Sequence, residues 1–193
     1  MGNSVNLVGN IVSDLELSHS LYGESFYYIS ISVIRDSGKA DVVPVMVSDR
    51  LVDVNKSYKG MCVYVTGALR TYNQHDEDRN RLRLYVFANE LCFIDDSKSV
   101  NDVFLEGYIC KQPTYRHTPM GREIADVILA VNRAYGKSDY IPCILWGRTA
   151  YYVKSLSVGS SIRVAGRIQS REYTKNGETK TAYELSVNLL EVC

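Results

Sequence analysis

Tyr140-Ile141-Pro142-Cys143-Ile144-Leu145-Trp146-Gly147-Arg148 alternates like a β-strand with two unlike faces. Successive side chains on a strand point to opposite sides. Ile141, Cys143 and Leu145 therefore share a core-type face. Tyr140, Pro142, Ile144 and Trp146 share the other. Its two aromatics are separated by roughly 20 Å at about 3.3 Å per residue. Arg148 follows directly after Gly147. Spaced aromatic planes with a cation beside them suit a single-stranded nucleic acid, whose bases stack on π-faces and whose phosphates need positive charge. A lone Trp in an apolar run is equally well a buried core residue, so both readings of Trp146 stand at this point.

Outward from this strand, the chain repeats itself. Val5-Asn6-Leu7-Val8-Gly9 matches Val103-Phe104-Leu105-Glu106-Gly107, and Ile31-Ser32-Val33-Ile34-Arg35 matches Leu129-Ala130-Val131-Asn132-Arg133. Gly23, Asp41, Pro44 and Arg50 match Gly121, Asp139, Pro142 and Arg148. Gly60, Gly67 and Asn89 match Gly159, Gly166 and Asn188 after one residue has entered the connection. A period of about 98 residues is too long for a solenoid and fits two copies of a small domain. The joint falls at the polar run Asp95-Asp96-Ser97-Lys98-Ser99, giving domains 1–97 and 98–193.

In the second copy, Val103 to Cys110 alternates, and Thr118-Pro119-Met120-Gly121 is a turn. Ala125, Val127, Leu129 and Val131 alternate with Asp126, Ile128, Ala130 and Asn132. After Arg148, Ala150, Val153 and Leu156 recur at helical spacing, closed by Gly159. Ile162, Val164 and Ile168 share one parity; Arg163, Arg167, Gln169, Arg171 and Tyr173 share the other, unless a β-bulge breaks it. Asn176-Gly177 is a two-residue hairpin signal. Five strands with a helix between the third and fourth is the order of an OB-fold, which binds oligonucleotides across strands 2–3 and the loops L12 and L45. The predicted fold is all-β: two tandem five-stranded OB-fold barrels, each with a short helix between strands 3 and 4.

The second half resembles the bacterial single-stranded DNA-binding protein family. The likeness rests on Val103-x-Leu105-x-Gly107-x-Ile109, Thr118-Pro119-Met120-Gly121, Leu129-Ala130-Val131-Asn132-Arg133, Trp146-Gly147-Arg148 and Gly166-Arg167-Ile168-Gln169-Ser170-Arg171-x-Tyr173. The resemblance implies base stacking at four aromatics, which fall on Tyr135, Tyr140, Trp146 and Tyr173. The first half resembles the family more faintly, through Val5-x-Leu7-x-Gly9 and Gly67-Ala68-Leu69-Arg70-Thr71. Its corresponding positions are Ser37, Val42, Ser48 and about Gln74, with Tyr72 nearby. Its L45 segment includes Asp76-Glu77-Asp78, where the second half has Lys175-Asn176-Gly177-Glu178-Thr179-Lys180. Carboxylates repel a phosphate backbone. The second domain is expected to bind and the first mainly to scaffold; the alternative is that the first also binds, through Tyr22, Tyr27, Tyr28 or Arg70.

Arg167, Arg171, Lys175 and Lys180 are candidate phosphate contacts. Arg133 and Arg148 are candidates too, but because Arg35 and Arg50 match them in the weaker copy, a structural part is equally open. Net charge is zero over the 193 residues, which alone argues against a nucleic-acid partner. The halves differ: residues 1–98 carry 10 Lys+Arg against 13 Asp+Glu, a net of −3, and residues 99–193 carry 12 against 9, a net of +3. The 15 Tyr against 4 Phe favour a surface that combines stacking faces with polar tips.

Nothing points to catalysis. His19, His75 and His117 lie far apart, without metal-ligand spacing, and an acidic run at a hairpin tip is ordinarily solvated charge. No metal or cofactor is expected. Five scattered cysteines without a Cys-x-x-Cys fit reduced thiols in a cytoplasm. No signal sequence or apolar span indicates a membrane. The resemblance further implies four OB domains per assembly, hence a homodimer of this chain with the first strands (residues 5–12 and 103–110) at its contacts; a monomeric pseudo-dimer is the rival. It also implies an acidic C-terminal tail that recruits partners; the chain ends at Leu190-Glu191-Val192-Cys193 after the last strand, so tail-mediated partners are not expected. The expected activity is sequence-tolerant single-stranded DNA binding in replication, recombination or repair. The competing readings are an OB-fold protein-interaction module of a primosome-like assembly, or an RNA binder.

Overall fold

The computed structural model describes residues 2–76, 79–95, 97–175 and 177–193, with side chains at 74–76, 79–81 and 175 excepted. Among the described residues the chain is mostly β, with twelve strands and one α-helix. By compactness it divides into two units. One comprises Ser4–Arg70 and Tyr85–Asp102; the other comprises Met1–Asn3, Thr71–Leu84 and Val103–Cys193.

The first of these units is built on β1 (Asn3–Ile11), β2 (Glu16–Leu21), β3 (Glu24–Ile34), β4 (Ala40–Ser48) and the inner parts of β5 (Cys62–Asp76) and β6 (Arg79–Phe93). Strand β1 pairs with both β3 and β5, β3 pairs with β4, β4 runs parallel to β6, and β6 pairs with β5, so the pairings return to their start. Leu7, Ile31, Val45, Val63, Leu69 and Val86 fill the interior. These are the alternate apolar residues of each strand, and burying them drives closure.

The second unit repeats the pattern. It contains β7 (Val100–Ile109), β8 (Thr114–His117), β9 (Glu123–Asn132), β10 (Ser138–Trp146), α1 (Gly147–Val153), β11 (Ser161–Lys175) and β12 (Glu178–Val192). The ring runs β7–β9–β10–β12–β11–β7, with β10 and β12 parallel. Leu105, Ile109, Leu129, Ile141, Leu145, Ile162, Ile168 and Leu185 are its core, joined by Ala150 and Val153 of α1. The predicted two-residue connection at Asn176-Gly177 has one residue outside the described set; Gly177 takes φ +79°.

Four glycines explain how each ring closes. A Cβ at Gly107 would fall on the Ala130 carbonyl oxygen, and one at Gly166 on that of Ser186. Gly9 and Gly67 meet Ser32 and Phe87 in the same way. These pairs occupy matching positions of the two copies, so the duplicated glycines mark duplicated close approaches.

Two expectations are corrected. Each copy carries a sixth short strand, β2 or β8, that pairs only with the start of β3 or β9. In the second copy the turn at Thr118–Gly121 folds β8 back: Gly121 N–H donates to the Thr118 carbonyl at 2.8 Å, and Arg122 N–H to Thr118 Oγ1 at 3.0 Å. The helix, expected in both copies, forms only in the second. Between β4 and β5 the first copy has turns. There the Asp53 carboxylate accepts from Asn55 N–H at 3.1 Å, and the Tyr58 hydroxyl accepts from Asp53 N–H at 2.8 Å. Asp and Asn side chains that bond nearby backbone compete with helical hydrogen bonds. The second copy has Ala150, Tyr151 and Tyr152 in that region instead.

Candidate nucleic-acid interface

Strand β10 sets the interface. Asp139, Ile141, Cys143 and Leu145 are buried, and Tyr140 and Trp146 are exposed on the opposite parity. Burial pushes the Cys143 thiol well above its ordinary range, which fits an inert core group. On the outward parity Ile144 is 5% exposed, flanked in register by Asp126 of β9 and Ser186 of β12. Trp146 is 37% exposed, and its Nε1–H donates to Ser186 Oγ at 3.2 Å. The core alternative for this ring therefore fails. The Ser186 hydroxyl thereby holds the edge of the indole.

Tyr135 is 99% exposed in the turn between β9 and β10, at φ +62° and followed by Gly136 at φ +68°. A non-glycine residue in the left-handed region costs of order 1–3 kcal/mol and concentrates at ligand contacts. Arg133 N–H closes this turn on the Lys137 carbonyl at 2.7 Å. Tyr140 is 50% exposed. Tyr173 lies on β11, in register with Lys180 of β12.

The parity read for β11 holds. The bulge lies on the β12 side, where Ala165↔Leu189 is followed by Gly166↔Val187. Arg167, Gln169 and Arg171 therefore face Ser186, Glu184 and Ala182 in register. Gln169 is buried and donates to Glu184 at 2.7 Å; the Arg171 guanidinium stands 3.9 Å from the same carboxylate and remains exposed. Arg167 is half-buried next to Ser186 and hence near the Trp146 edge. Lys180 pairs with Glu178 at 2.9 Å. The Lys175 side chain and Asn176 lie outside the described residues.

The two repeated arginines separate. Arg133 forms an ion pair at 2.7 Å with Asp139, which is fully buried. Arg35 forms the same pair with fully buried Asp41 in the other unit. A duplicated pair around a buried acid supports a structural part for Arg133, whose side chain stays 27% exposed. Arg148 is exposed in the first turn of α1. Its counterpart Arg50 is paired with Glu24 at 3.0 Å, but the position matching Glu24 is Arg122. The second copy thus shows two exposed cations where the first neutralises one.

A second aromatic group, Tyr115, His117 and Tyr151, is already satisfied internally. Lys154 Nζ lies 4.6 Å from the Tyr115 ring centre and 3.7 Å from that of Tyr151. A hydrogen bond to Glu123 pushes the Tyr115 phenol up to about 12.

In the other unit the matching face differs. Val42 is exposed, and Ser48 is buried with its hydroxyl donating to Glu24. Phe26, in register with Ser48, stacks on His19 at 5.0 Å and meets Phe87 at 5.9 Å; Tyr28 and Tyr85 meet edge to face at 5.8 Å. Its rings pack against one another. Tyr22 is 97% exposed at φ +52°; Tyr72, of the first copy but grouped with the unit that carries β10, is 39% exposed. Side chains at Gln74 and at Asp76-Glu77-Asp78 lie outside the described residues.

Sequence reasoning missed Thr71, whose partners are far away in the chain. Thr71 N–H donates to Asp139 Oδ1 at 2.6 Å, and Tyr140 N–H donates to Thr71 Oγ1 at 3.0 Å. The only local signal is that Ser170, its counterpart in the repeat, is also a hydroxyl. Among the described residues no three His, Cys, Asp or Glu side chains gather as a metal site, and no helix is long and apolar enough to cross a membrane.

The family model described as the Single-strand binding protein family matches residues 2–94 and again 100–193. "Single-stranded DNA-binding protein B" of Bacillus subtilis is 38% identical over 94 residues, covering 45% of this chain and 82% of that protein. The "Single-stranded DNA-binding protein" of Bacillus cereus is 40% identical over 81 residues, 38% of this chain and 48% of that protein. In fold, the chain is similar to the wild-type single-stranded DNA binding protein from Thermus aquaticus, with a TM-score of 0.79 at 20% identity over 99% of this chain and 92% of that one.

Proposed function

Because the chain belongs to the single-strand binding protein family, with both halves matched, we propose that it is a non-enzymatic, sequence-tolerant binder of single-stranded DNA in replication, recombination or repair. The observation that carries this reading is the open Trp146 ring on the outward face of β10, edge-fixed by Ser186. Bases stack on Trp146, Tyr140, Tyr135 and Tyr173, each contributing ~1–3 kcal/mol. Phosphates follow Arg148, Arg167, Arg171 and Lys180, with Arg133 holding the fold beneath them. Lys175 is retained as a phosphate contact from its place in the hairpin.

The finer architecture is two OB-fold barrels, residues 1–97 and 98–193, the closed rings of strand pairings supporting it. The first barrel mainly scaffolds, a role favoured by rings that pack on each other and by Ser48 standing where the second copy has Trp146. Two chains assemble as a homodimer of four barrels, in the cytoplasm.

Trp146 is the sole tryptophan, so its emission reports on the site directly. Oligo-dT quenches it strongly at low salt and less at high salt on this reading. Unchanged emission, with the protein folded, sinks it and favours a protein-interaction module. A matched oligo-U titration separates DNA from RNA.

A further inference from the structure

Strand β10 keeps its parallel partner β12 only at Cys143↔Leu185 and Ile144↔Ser186. Toward Tyr140 it has left that neighbour, and a strand edge without a neighbour leaves backbone N–H groups needing an acceptor. At Tyr140 the acceptor is Thr71 Oγ1, 3.0 Å away. Since Oγ1 accepts there, its own proton goes to Asp139 Oδ1, 3.3 Å away. Thr71 N–H donates to the same oxygen at 2.6 Å, and Arg133 Nη2 donates both to that oxygen at 2.7 Å and to the Thr71 carbonyl at 3.2 Å. Thr71 is 6% exposed and Asp139 0%. Thr71, Asp139 and Arg133 are thus hydrogen-bonded together around a fully buried carboxylate, and at one end of this network is the backbone of a half-exposed ring.

We infer that Thr71 is a positioning residue for single-stranded DNA binding: its hydroxyl pins the backbone of Tyr140 so that the ring is presented at a fixed angle for stacking. The inference rests on the proposed reading of Tyr140 as a stacking ring. Thr71 belongs by repeat register to the first copy, yet lies within the compact unit that carries β10. The first copy then contributes to the binding face of the second through one hydroxyl, without touching the ligand.

The test is a double-mutant cycle on the full chain, read by Trp146 quenching with oligo-dT, well below each variant's melting temperature. Thr71→Val keeps the shape and the backbone N–H but removes the acceptor; Thr71→Ser keeps the hydroxyl. Thr71→Val is expected to weaken binding about five- to tenfold, as expected for a buried donor left unsatisfied, and Thr71→Ser to restore it to within about twofold. In a Tyr140→Ala background, Thr71→Val is expected to change affinity no further, because coupled residues are non-additive. If Tyr140→Ala weakens binding while Thr71→Val does not, the inference about Thr71 is overturned and the stacking reading survives. It is likewise overturned if Thr71→Val has its full effect in the Tyr140→Ala background. If Tyr140→Ala leaves affinity unchanged, the stacking role of Tyr140 falls, and the positioning role falls with it.

Discussion

Arg133 and Arg148 look alike in sequence: each is repeated in the weaker copy, and each follows a β-strand. Their acids distinguish them. Arg133 neutralises a carboxylate with no access to water, so Arg133→Ala strands a buried charge and is expected to cost about 3–5 kcal/mol of stability, read as a lower denaturation midpoint. Arg148 is exposed with no acid at the position matching Glu24. Arg148→Ala is expected to leave the melting temperature unchanged and to lower the slope of log Kobs against log[salt] by about 0.7, the share of one phosphate on a single strand. The opposite pattern, unfolding by the Arg148 variant and a salt effect from the Arg133 variant, refutes the assignment. Trp146 carries its own expectation: replacement by Ala weakens oligo-dT binding by ~1–3 kcal/mol, and replacement by Phe by less, because Phe keeps a π-face. The exposure of Tyr140 and Trp146 was legible because strand parity fixes which side chains face out; Tyr135, in a turn, came from the family resemblance alone. The roles of the arginines were not, since a salt bridge is decided by what lies across the fold.

Elements were legible where a local rule governs them. Alternation gave β10 and the parity of β11, and spaced Ala150 and Val153 gave α1. Local competition explains what failed: Asp53 and Asn55 bond backbone that a helix would need, and the outer strands β2 and β8 are too short and too exposed to show an apolar rhythm. The glycines were visible as a repeat, but their reason is a contact between strands. At Gly107 an added methyl meets the Ala130 carbonyl oxygen, which is backbone in a closed ring and cannot rotate aside. Gly107→Ala is therefore expected to cost at least about 1–3 kcal/mol by overpacking. Gly121→Ala, where no atom lies within 4 Å, carries only the strain of a positive φ. Thermal denaturation of the two variants ranks them, and equal melting temperatures contradict the close-approach argument.

For the whole molecule, zero net charge hides two halves of opposite sign, and on the proposed reading the positive second half is the one a polyanion meets. The sequence repeat assigned every residue to a copy but could not say which contacts a segment joins; Thr71–Leu84 registers with the first copy and groups with the second unit. If binding is confined to the second copy, about three or four phosphates are neutralised per chain by Arg148, Arg167, Lys175, Arg171 and Lys180, of which the last two share their charge with Glu184 and Glu178. With about 0.7 counterion released per phosphate on a single strand, log Kobs is expected to fall with log[salt] at a slope of about −2 to −3. A short oligo-dT and fluorescence titrations from low to moderate salt measure it. A slope steeper than about −5 per chain corresponds to about seven phosphates, more than these cations neutralise, and favours the alternative in which the first copy also binds, through Tyr22, Tyr27, Tyr28 or Arg70.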